Sequence, residues 1–312
     1  MKKKVLITDY VHPILIEGLN EKGYDVSYEP DFQPEELNDI LPSLYGIVIN
    51  SKIKMTAERI DLAETLKFIG RLGSGLEIID LKYAAKRAVH VFNSPEGNRN
   101  AVAEHALGML LCLSNNLIKS DREVRQKIWK REENRGFEIS GMTVGILGFG
   151  NTGQSFARKL SGWTLDCVYC DPYVLNVSED FAYIRNVSLD QLLQDSDIIS
   201  LHLPLTPETS GMVNKDFIKA CKQGIIIINT SRGSVVNTAD LIWGLKEKYI
   251  KGACLDVFEN EKPHNFTSEE HQLYNELYSM DNTVLSPHIA GWTAESLRKI
   301  AEVLLLKVSM LG

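Results

Sequence analysis

The sequence predicts an α/β protein built from two doubly wound domains, each around a parallel sheet. Two series of short apolar stretches alternate with helical stretches, which is typical of parallel strands covered by helices on both faces. At 312 residues, the chain is long enough for two ordinary domains. The predicted strands of the first series are Val5–Thr8, Val26–Glu29, Gly46–Asn50, Phe68–Arg71 and Val89–Phe92. Those of the second series are Thr143–Leu147, Asp166–Cys170, Ile198–Leu203, Ile225–Asn229, Ala253–Val257 and Thr283–Leu285.

Three helical segments frame the two series of strands. Residues Asn100–Leu117 are apolar with a helical period, interrupted only by Gly108, and predict a long helix that joins the domains. The segment Arg122–Glu133 continues as a charged, amphipathic stretch that ends near Gly136, and it is either a subunit contact or a plain surface helix. Ala294–Met310 predicts a last helix, and we expect no third domain after it.

Composition and charge exclude several classes of protein. Hydrophobic residues make up 44% of the chain and charged residues 24%, as in soluble globular proteins. The net charge is −7 and no basic block stands out, so we expect no nucleic-acid partner. The apolar runs are strand-sized, and the run at Val5–Ile7 is too short for a signal peptide, so we expect no membrane association.

The cysteines indicate a reducing compartment. There are five, an odd number without a small-domain disulfide framework, and we expect a cytoplasmic protein. Cys167 and Cys170 form a Cys-x-x-Cys within a predicted strand, where residues i and i+3 point to opposite faces. We therefore interpret them as ordinary strand residues, and we expect no metal site.

A glycine-rich turn follows the first strand of the second series. Residues 140–153 read SGMTVGILGFGNTG, a strand that runs into a turn and then into a helix. Gly148 allows the tight turn, Gly150 lets the backbone approach a pyrophosphate, and Gly153 lets the helix pack on the strand. The unpaired N–H groups of the helix N-terminus then face the phosphates. This context predicts a Rossmann dinucleotide-binding domain.

An acidic residue ends the next predicted strand. Asp171 lies 18 positions after Gly153, where a carboxylate accepts hydrogen bonds from the adenosine ribose hydroxyls. The same carboxylate would repel a 2′-phosphate, so the sequence predicts NAD rather than NADP as the cofactor.

Charged or titratable residues follow three more strands of the second series. Arg232 comes just after Ile225–Asn229, acidic residues follow Ala253–Val257, and His288 follows Thr283–Leu285. Ligands of doubly wound sheets bind at the carboxyl ends of the strands, so we expect these side chains to share one site.

These residue types suit the reduction of a 2-keto acid. A guanidinium, here Arg232, binds a carboxylate through planar, bidentate hydrogen bonds and polarises the carbonyl. An imidazole, here His288, donates a proton near neutral pH. A carboxylate beside it, here Glu261, orients the ring and favours its protonated form. NAD supplies the hydride itself.

At these residues the chain resembles the D-isomer specific 2-hydroxyacid dehydrogenase family, in particular its phosphoglycerate dehydrogenase-like branch. The similarity runs nearly end to end. Besides the turn at Gly148, the matching segments are Gly70–Gly75, Asn93–Asn98, Ala103–Met109, Asn229–Gly233, Leu255–Glu259 and Ser286–Gly291.

The resemblance implies roles for individual residues. Arg232, Glu261 and His288 match the family's catalytic Arg, Glu and His, and Asp256 matches the Asp near the nicotinamide carboxamide. Residues implied to line the cofactor, besides the three glycines, are Asn151, Thr152, Asp171, Thr230 and Ser231. Residues implied to bind the substrate, besides Arg232, are Asn50, Gly73, Ser74 and Gly75, with the carboxylate held by backbone N–H groups around Ser74 and Gly75.

The resemblance also implies an organisation and an activity. Residues 1–97 with 291–312 would form a flavodoxin-like substrate-binding domain, and residues 98–290 the Rossmann NAD-binding domain. The implied enzyme is an NAD-dependent oxidoreductase acting on the CH–OH group of a D-2-hydroxy acid (EC 1.1.1.-), with a homodimer formed through the NAD-binding domain. The alternative is a catalytically weak, corepressor-like protein that senses NAD(H).

Two departures from the family pattern stand out. The family usually places Pro directly after the catalytic Glu, whereas here Lys262 precedes Pro263, and the stretch from Glu261 to His288 looks like a long loop. We expect His264 and His271 within it to be surface residues.

The second departure concerns the substrate. The phosphoglycerate branch typically carries Arg where this chain has Asn50, which cannot neutralise a phosphate. Lys52 or Lys54 either compensates for that loss or is simply solvated. The substrate therefore stays open among 3-phosphohydroxypyruvate, hydroxypyruvate or glyoxylate, and longer 2-keto acids. Because the sequence stops at Gly312, we expect it to lack the regulatory extension of many phosphoglycerate dehydrogenases.

Overall fold

In the computed structural model, which describes residues 3–311, the chain is divided between two units with one parallel sheet each. The first unit runs to Arg99 and resumes at Trp292, and the second comprises Asn100–Gly291. The boundaries expected from the sequence, after residues 97 and 290, lie within two residues of these. Met1, Lys2 and Gly312, at the ends of the expected domains, lie outside the described residues.

Twelve strands are formed within the described residues. Their bounds are β1 Lys3–Ile7, β2 Tyr24–Tyr28, β3 Gly46–Ile49, β4 Phe68–Arg71, β5 His90–Phe92, β6 Thr143–Leu147, β7 Asp166–Cys170, β8 Arg185–Asn186, β9 Ile198–Leu201, β10 Ile225–Asn229, β11 Ile250–Leu255 and β12 Thr283–Leu285. All eleven predicted strands are present, with ends that differ by up to three residues. The sequence analysis missed β8, which has only two residues, both exposed.

Twelve α-helices connect or cover these strands within the same range. Their bounds are α1 Pro13–Glu21, α2 Leu37–Ile40, α3 Ala57–Leu62, α4 Leu81–Lys86, α5 Pro95–Ser114, α6 Leu117–Arg125, α7 Asn151–Leu160, α8 Leu189–Asp195, α9 Lys215–Ala220, α10 Thr238–Lys246, α11 Ser268–Tyr278 and α12 Ala294–Ser309.

The sheet of the first unit has the strand order β2-β1-β3-β4-β5, with every pair parallel. This is the doubly wound order of flavodoxin-like folds, as predicted. One face is covered by α1 and α12, which contact each other, and Leu15, Leu304 and Val308 are buried there against Val5 and Ile7. The last helix therefore completes the core of the unit that begins the chain.

The sheet of the second unit has the order β12-β11-β10-β9-β6-β7-β8, also parallel throughout. Its first six strands in chain order follow the Rossmann arrangement, and β12 extends the sheet at one edge. Strand β10 is buried at all five residues, because helices cover both of its faces. The order places the carboxyl ends of β10, β11 and β12 side by side.

The helix predicted over Asn100–Leu117 is wrong in its extent. Helix α5 begins earlier, at Pro95, and ends at Ser114, because Asn116 adopts a left-handed backbone with φ 52°. The predicted amphipathic stretch Arg122–Glu133 is helical only to Arg125, and Lys127 has φ 62°. No single helix among the described residues is long and apolar enough to cross a membrane; α5 and α6, bent by 63° at their junction, meet that test only as a pair.

The stretch from Glu261 to His288 is not the long loop expected from the sequence. It contains α11 and β12, and α11 begins with a capping box between Thr267 and Glu270. The irregular part is therefore short, from Val257 to Thr267.

Candidate active site

The groups predicted for chemistry come together at one edge of the second sheet. Arg232 follows β10, Glu261 lies in the segment after β11, and His288 follows β12. Because these three strands are neighbours in a parallel sheet, their carboxyl ends deliver the three side chains to the same place.

Glu261 and His288 form a hydrogen-bonded pair. The Nδ1 atom of His288 lies 2.8 Å from Oε2 of Glu261. The side chain of His288 is 52% exposed and that of Glu261 is 39% exposed. The hydrogen bond to Glu261 raises the pKa of His288 above its ordinary value, against the opposing effect of burial. The pKa of Glu261 is lowered. Partial burial alone would raise it, but the hydrogen bond to His288 and the positive charge of that ring have the larger combined effect. The pair therefore favours a carboxylate beside a protonated imidazole.

Arg232 is held by a turn built on Asn229. The Asn229 side chain accepts hydrogen bonds from the backbone N–H of Ser231 at 3.1 Å and from its hydroxyl at 2.8 Å, and donates to the carbonyl of Arg232 at 2.9 Å. A Cβ at Gly233 would lie 1.9 Å from the carbonyl oxygen of Phe258, so only glycine fits this turn. The guanidinium charge of Arg232 opposes the raised pKa of His288 and helps to lower that of Glu261. All three predicted groups thus act on one another.

The loop that carries His288 is fixed by Asp256, whose side chain is only 1% exposed. Its Oδ1 accepts from the backbone N–H of Ile289 at 2.9 Å, and its Oδ2 from that of Ala290 at 2.8 Å. The carbonyl oxygen of Asp256 also accepts from the N–H of His288 at 2.7 Å. These bonds hold His288 in a left-handed conformation with φ 56°. The predicted contact of Asp256 with nicotinamide stays a prediction.

Two further residues, which the sequence analysis gave no role, extend this arrangement. The Ser286 hydroxyl lies 2.6 Å from Oδ1 of Asp256 and 2.8 Å from Nε2 of His105 on α5. A carboxylate can only accept, so the single hydroxyl proton of Ser286 goes to Asp256. The hydroxyl oxygen must then accept from His105, whose Nε2 therefore carries a proton. The available sequence signal for this chain of donors was His105, which lies in a helix and is followed by the mostly apolar stretch of residues 106–113.

The glycine-rich turn has the geometry expected from its sequence. Gly148 has φ 89°, and a Cβ there would lie 2.5 Å from the carbonyl oxygen of His202. A Cβ at Gly153 would lie 2.2 Å from the carbonyl oxygen of Gly148, whereas one at Gly150 would meet nothing within 4 Å. Helix α7 starts directly after Gly150, which has no side chain to cap it.

The carboxylate of Asp171 accepts backbone hydrogen bonds that stabilise this turn. Its Oδ2 accepts from the backbone N–H of Phe149 at 2.7 Å, and its Oδ1 from the N–H groups of Tyr173 at 2.8 Å and Val174 at 3.2 Å. The carboxylate is thereby fixed at the end of β7, next to the turn. The three N–H groups occupy both lone pairs of Oδ1 and one of Oδ2, so the predicted bond to ribose would use the remaining lone pair of Oδ2.

The residues predicted to line the cofactor fit a polar ligand. Asn151 and Thr152 form the half-buried first turn of α7, and Thr230 and Ser231 are buried after β10. The Thr230 hydroxyl oxygen is buried and has no hydrogen-bond partner among the described residues. A buried polar atom without a partner is costly, so this oxygen suits contact with a bound cofactor.

The residues predicted to bind the substrate carboxylate lie in the first unit, after β4. Gly73 has φ 130°, and the Ser74 hydroxyl donates to Asn98 Oδ1 at 3.2 Å while its carbonyl accepts from the Asn93 side chain at 2.8 Å. Within residues 3–311, the backbone N–H groups of Ser74 and Gly75 have no acceptor. Two such N–H groups in a fixed loop are suited to a carboxylate.

Asn50, also in the first unit, follows β3 beside an acidic residue. Its backbone N–H donates to Oδ2 of Asp9 at 2.9 Å, and the Thr8 hydroxyl donates to the same oxygen at 2.7 Å. The Lys52 ammonium donates to the carbonyl of Pro30 at 2.7 Å, and Lys54 is exposed. The structure thus places a carboxylate, rather than a cation, next to Asn50.

The remaining residues singled out from the sequence form no hydrogen bond with the side chains of Glu261 or His288 among the described residues. His264 and His271 are exposed, as expected, and Cys167 and Cys170 are unpaired residues of β7. Burial raises the pKa of the Cys167 thiol to about 11, so it stays protonated at neutral pH. Within residues 3–311, no three His, Cys, Asp or Glu side chains are grouped as metal ligands.

Comparison with known proteins adds to this geometry. Residues 107–290 match a family model described as D-isomer specific 2-hydroxyacid dehydrogenase, NAD binding domain. The chain is 34% identical to D-3-phosphoglycerate dehydrogenase of Archaeoglobus fulgidus over 293 residues. That alignment covers 94% of this chain and 54% of the relative. The chain is 33% identical over 290 residues to hydroxypyruvate reductase of Thermotoga maritima, covering 93% of this chain and 92% of the relative.

Solved structures give the same result at the level of the fold. D-lactate dehydrogenase from Aquifex aeolicus, complexed with NAD and lactic acid, matches with a TM-score of 0.84 and 27% identity, over 99% of this chain and 95% of that chain. In length, the present chain spans about half of the D-3-phosphoglycerate dehydrogenase and most of the hydroxypyruvate reductase.

Proposed function

Because the chain belongs to the D-isomer specific 2-hydroxyacid dehydrogenase family, we propose that it is an NAD-dependent oxidoreductase of a small D-2-hydroxy acid. The reaction interconverts the CH–OH group at C2 with the ketone of the 2-keto acid. The observation that carries the proposal is the 2.8 Å hydrogen bond between His288 and Glu261, within reach of the charge of Arg232. A protein that only sensed NAD(H) would not need this pair.

The proposed roles follow from the charges. Bound NADH supplies the hydride that reaches C2. Arg232 binds the carboxylate and polarises the carbonyl, and the imidazolium of His288 donates a proton to the oxygen as it becomes an alkoxide. Glu261 keeps His288 protonated before transfer and orients the ring. In the oxidative direction His288 must be neutral, so that it accepts the hydroxyl proton.

The cofactor would be held by the second unit, which matches the NAD-binding domain of the family. The N–H groups at the start of α7 would bind the diphosphate beside Gly150, and Asp171 the adenosine ribose. The buried hydroxyl of Thr230 would form a hydrogen bond with the cofactor. The N–H groups of Ser74 and Gly75, in the first unit, are our proposed ligands of the substrate carboxylate.

For the substrate we propose an unphosphorylated 2-keto acid. Asp9 places a negative charge beside Asn50, and Lys52 is bound to the carbonyl of Pro30. Arg71, at the end of β4, donates to the backbone carbonyl of Leu72. A phosphate at the end of β3 would meet repulsion from Asp9 where a phosphate site needs a cation.

The test is NADH oxidation with a panel of 2-keto acids, each measured with and without phosphate on the substrate. We expect hydroxypyruvate or glyoxylate to be reduced with a higher kcat/KM than 3-phosphohydroxypyruvate, and Asn50→Arg to narrow that difference. Faster reduction of the phosphorylated acid by the unchanged protein would overturn the substrate assignment. If NADH binds and no acid reacts, the protein is a sensor.

We also propose a homodimer through the segment around α6. Large apolar side chains are exposed along it, including Leu117, Ile118, Val124 and Trp129, which is 78% exposed. Such a patch marks an interaction surface on a soluble protein. Light scattering after size exclusion should give twice the chain mass of 35.1 kDa, and a monomer at micromolar concentration would contradict the proposal.

A further inference from the structure

The segment that carries Glu261 makes contacts that the proposed mechanism does not use. They converge on Asn260, the preceding residue. Its backbone N–H donates to the Tyr274 hydroxyl at 2.9 Å, and its side-chain amide donates to Oε1 of Glu270 at 2.9 Å. Its amide oxygen accepts from the backbone N–H of Lys262 at 3.0 Å. These bonds therefore hold the Glu259–Asn260 peptide and the Glu261–Lys262 peptide, which lie on either side of the Asn260–Glu261 pair.

Lys262 supplies one of the contacts of Asn260. A proline directly after Glu261, the usual family pattern, would have no N–H to give to Asn260. The extra residue supplies that donor, and the proline follows at Pro263. The local backbone of Glu261 is thus set by side-chain hydrogen bonds where a proline ring would otherwise restrict it.

The two partners of Asn260 belong to α11 and are themselves fixed. Tyr274 is buried, stacks on Phe266 with ring centroids 4.6 Å apart, and also stacks on Tyr278 at 5.7 Å. Glu270 accepts from the backbone N–H of Thr267 at 2.8 Å, within the capping box that starts the helix. The segment from Asn260 to Thr267 is therefore tied at both ends to the first two turns of α11.

We propose that Tyr274 and Glu270 are positioning residues for the active site, which set the orientation of Glu261 toward His288 through Asn260. The inference rests on the proposed function, since it assumes that Glu261 orients the catalytic imidazole. Neither residue is proposed to touch substrate or cofactor. Removing the Tyr274 hydroxyl would leave the Asn260 N–H without its acceptor, and the segment would populate conformations in which Glu261 no longer faces His288.

The consequence is a change in proton affinity at His288. Three charged groups act on it: Glu261 and Asp256 favour its protonated form, and Arg232 opposes it. If Glu261 is displaced, the balance moves toward the neutral ring. Reduction of a 2-keto acid, which needs the imidazolium, should then fail at a lower pH than in the unchanged enzyme.

The experiment compares Tyr274→Phe with Tyr278→Phe in the full chain. Tyr278 belongs to the same aromatic stack, but its hydroxyl makes no hydrogen bond among the described residues. For Tyr274→Phe we expect kcat for reduction to fall about fivefold, the size of one lost hydrogen bond, and the alkaline limb of its pH profile to move to lower pH. Tyr278→Phe should leave kcat and the alkaline limb of the pH profile unchanged. The affinity for NADH, measured by fluorescence, should not change in either variant.

A second variant keeps the test decisive if Tyr274→Phe folds poorly. Asn260→Ala removes both side-chain bonds, the one to Glu270 and the one from the Lys262 N–H, without adding a charge, so the alkaline limb should move in the same direction. A limb that stays in place in both variants, or moves equally in Tyr278→Phe, overturns the inference. That failure is distinct from failure of the proposed function, in which the unchanged chain reduces no 2-keto acid.

Discussion

The two members of the proposed catalytic pair are held by different physical means. His288 lies on a loop whose N–H groups bind Asp256, a carboxylate that is only 1% exposed. Glu261 lies on a segment held by the neutral hydroxyl of Tyr274 and by the carboxylate of Glu270, which is only partly buried. Hydrogen bonds to a buried charge contribute about 1.5–3 kcal/mol each, against about 1 kcal/mol for neutral ones. The comparison implies that the proton donor is fixed rigidly, whereas its orienting partner is adjustable.

The largest expected effect is that of His288→Ala. Without a proton donor for the developing alkoxide, kcat should fall by about 10²- to 10⁴-fold. The affinity for NADH, measured by fluorescence titration, should change little, because the proposed cofactor contacts come from other residues. An equal loss of rate and of NADH affinity would contradict the role assigned to His288.

The rigid side of the comparison is tested by Asp256→Asn. The amide is nearly the same size, but its NH₂ group faces loop N–H groups that need an acceptor, so the loop that carries His288 should move. A displacement of about 1 Å at a catalytic group can cost about 10²-fold in rate, and we expect kcat to fall by about that factor. Asp197→Asn is a suitable control, since Asp197 also accepts a backbone N–H but precedes β9, at the amino ends of the parallel strands and not at the carboxyl ends. Similar losses in both variants would argue for general destabilisation.

Much of the fold followed from the sequence because burial leaves a strong pattern. Strand β10 is a run of four isoleucines and an asparagine, all buried, and its bounds were predicted without error. Strand β8 was missed because its two residues, Arg185 and Asn186, are exposed and carry no apolar signal. The end of α5 was placed too late because apolar periodicity continues to Leu117, whereas the left-handed backbone of Asn116 interrupts the helix.

The candidate site, like the fold, could be predicted from the sequence only in part. That Arg232 and His288 meet could be inferred from strand ends, since parallel neighbours present their carboxyl ends at one edge. The donor chain from His105 through Ser286 to Asp256 could not, because His105 and Ser286 are 181 positions apart and meet only through the packing of α5. The contacts of Asn260 depend on α11, in a stretch expected to be a loop.

The adjustable side of the comparison is tested by Glu261→Gln. The carboxylate raises the pKa of His288 through a hydrogen bond and through its charge, so the neutral amide should let that pKa fall. Because a raised pKa keeps the imidazolium present to higher pH, its loss should move the alkaline limb of keto-acid reduction to lower pH. At a fixed pH on that limb, the rate should fall about tenfold if the pKa falls by about one.

The oxidative direction gives the matching control for Glu261→Gln. Oxidation of the 2-hydroxy acid needs neutral His288, so its activity should begin at a lower pH than in the unchanged protein. Measuring the pH profiles of both directions in the same variant checks the sign of the effect. If reduction survives to higher pH, or if oxidation begins at higher pH, the role assigned to Glu261 is contradicted.

The smallest effect should come from Ser286→Ala, which removes one of the donors to Asp256 and leaves the N–H groups of Ile289 and Ala290 in place. We expect kcat to fall about fivefold, as for one hydrogen bond, and Ser286→Thr to retain most of the activity because it keeps the hydroxyl. In the unchanged protein, nitrogen NMR should find the His105 proton on Nε2. In Ser286→Ala, which removes the acceptor, the proton should no longer be fixed on Nε2. If Ser286→Ala costs as much as Asp256→Asn, the loop of His288 depends on the hydroxyl rather than on the carboxylate, and the contrast between a rigid donor and an adjustable partner no longer holds.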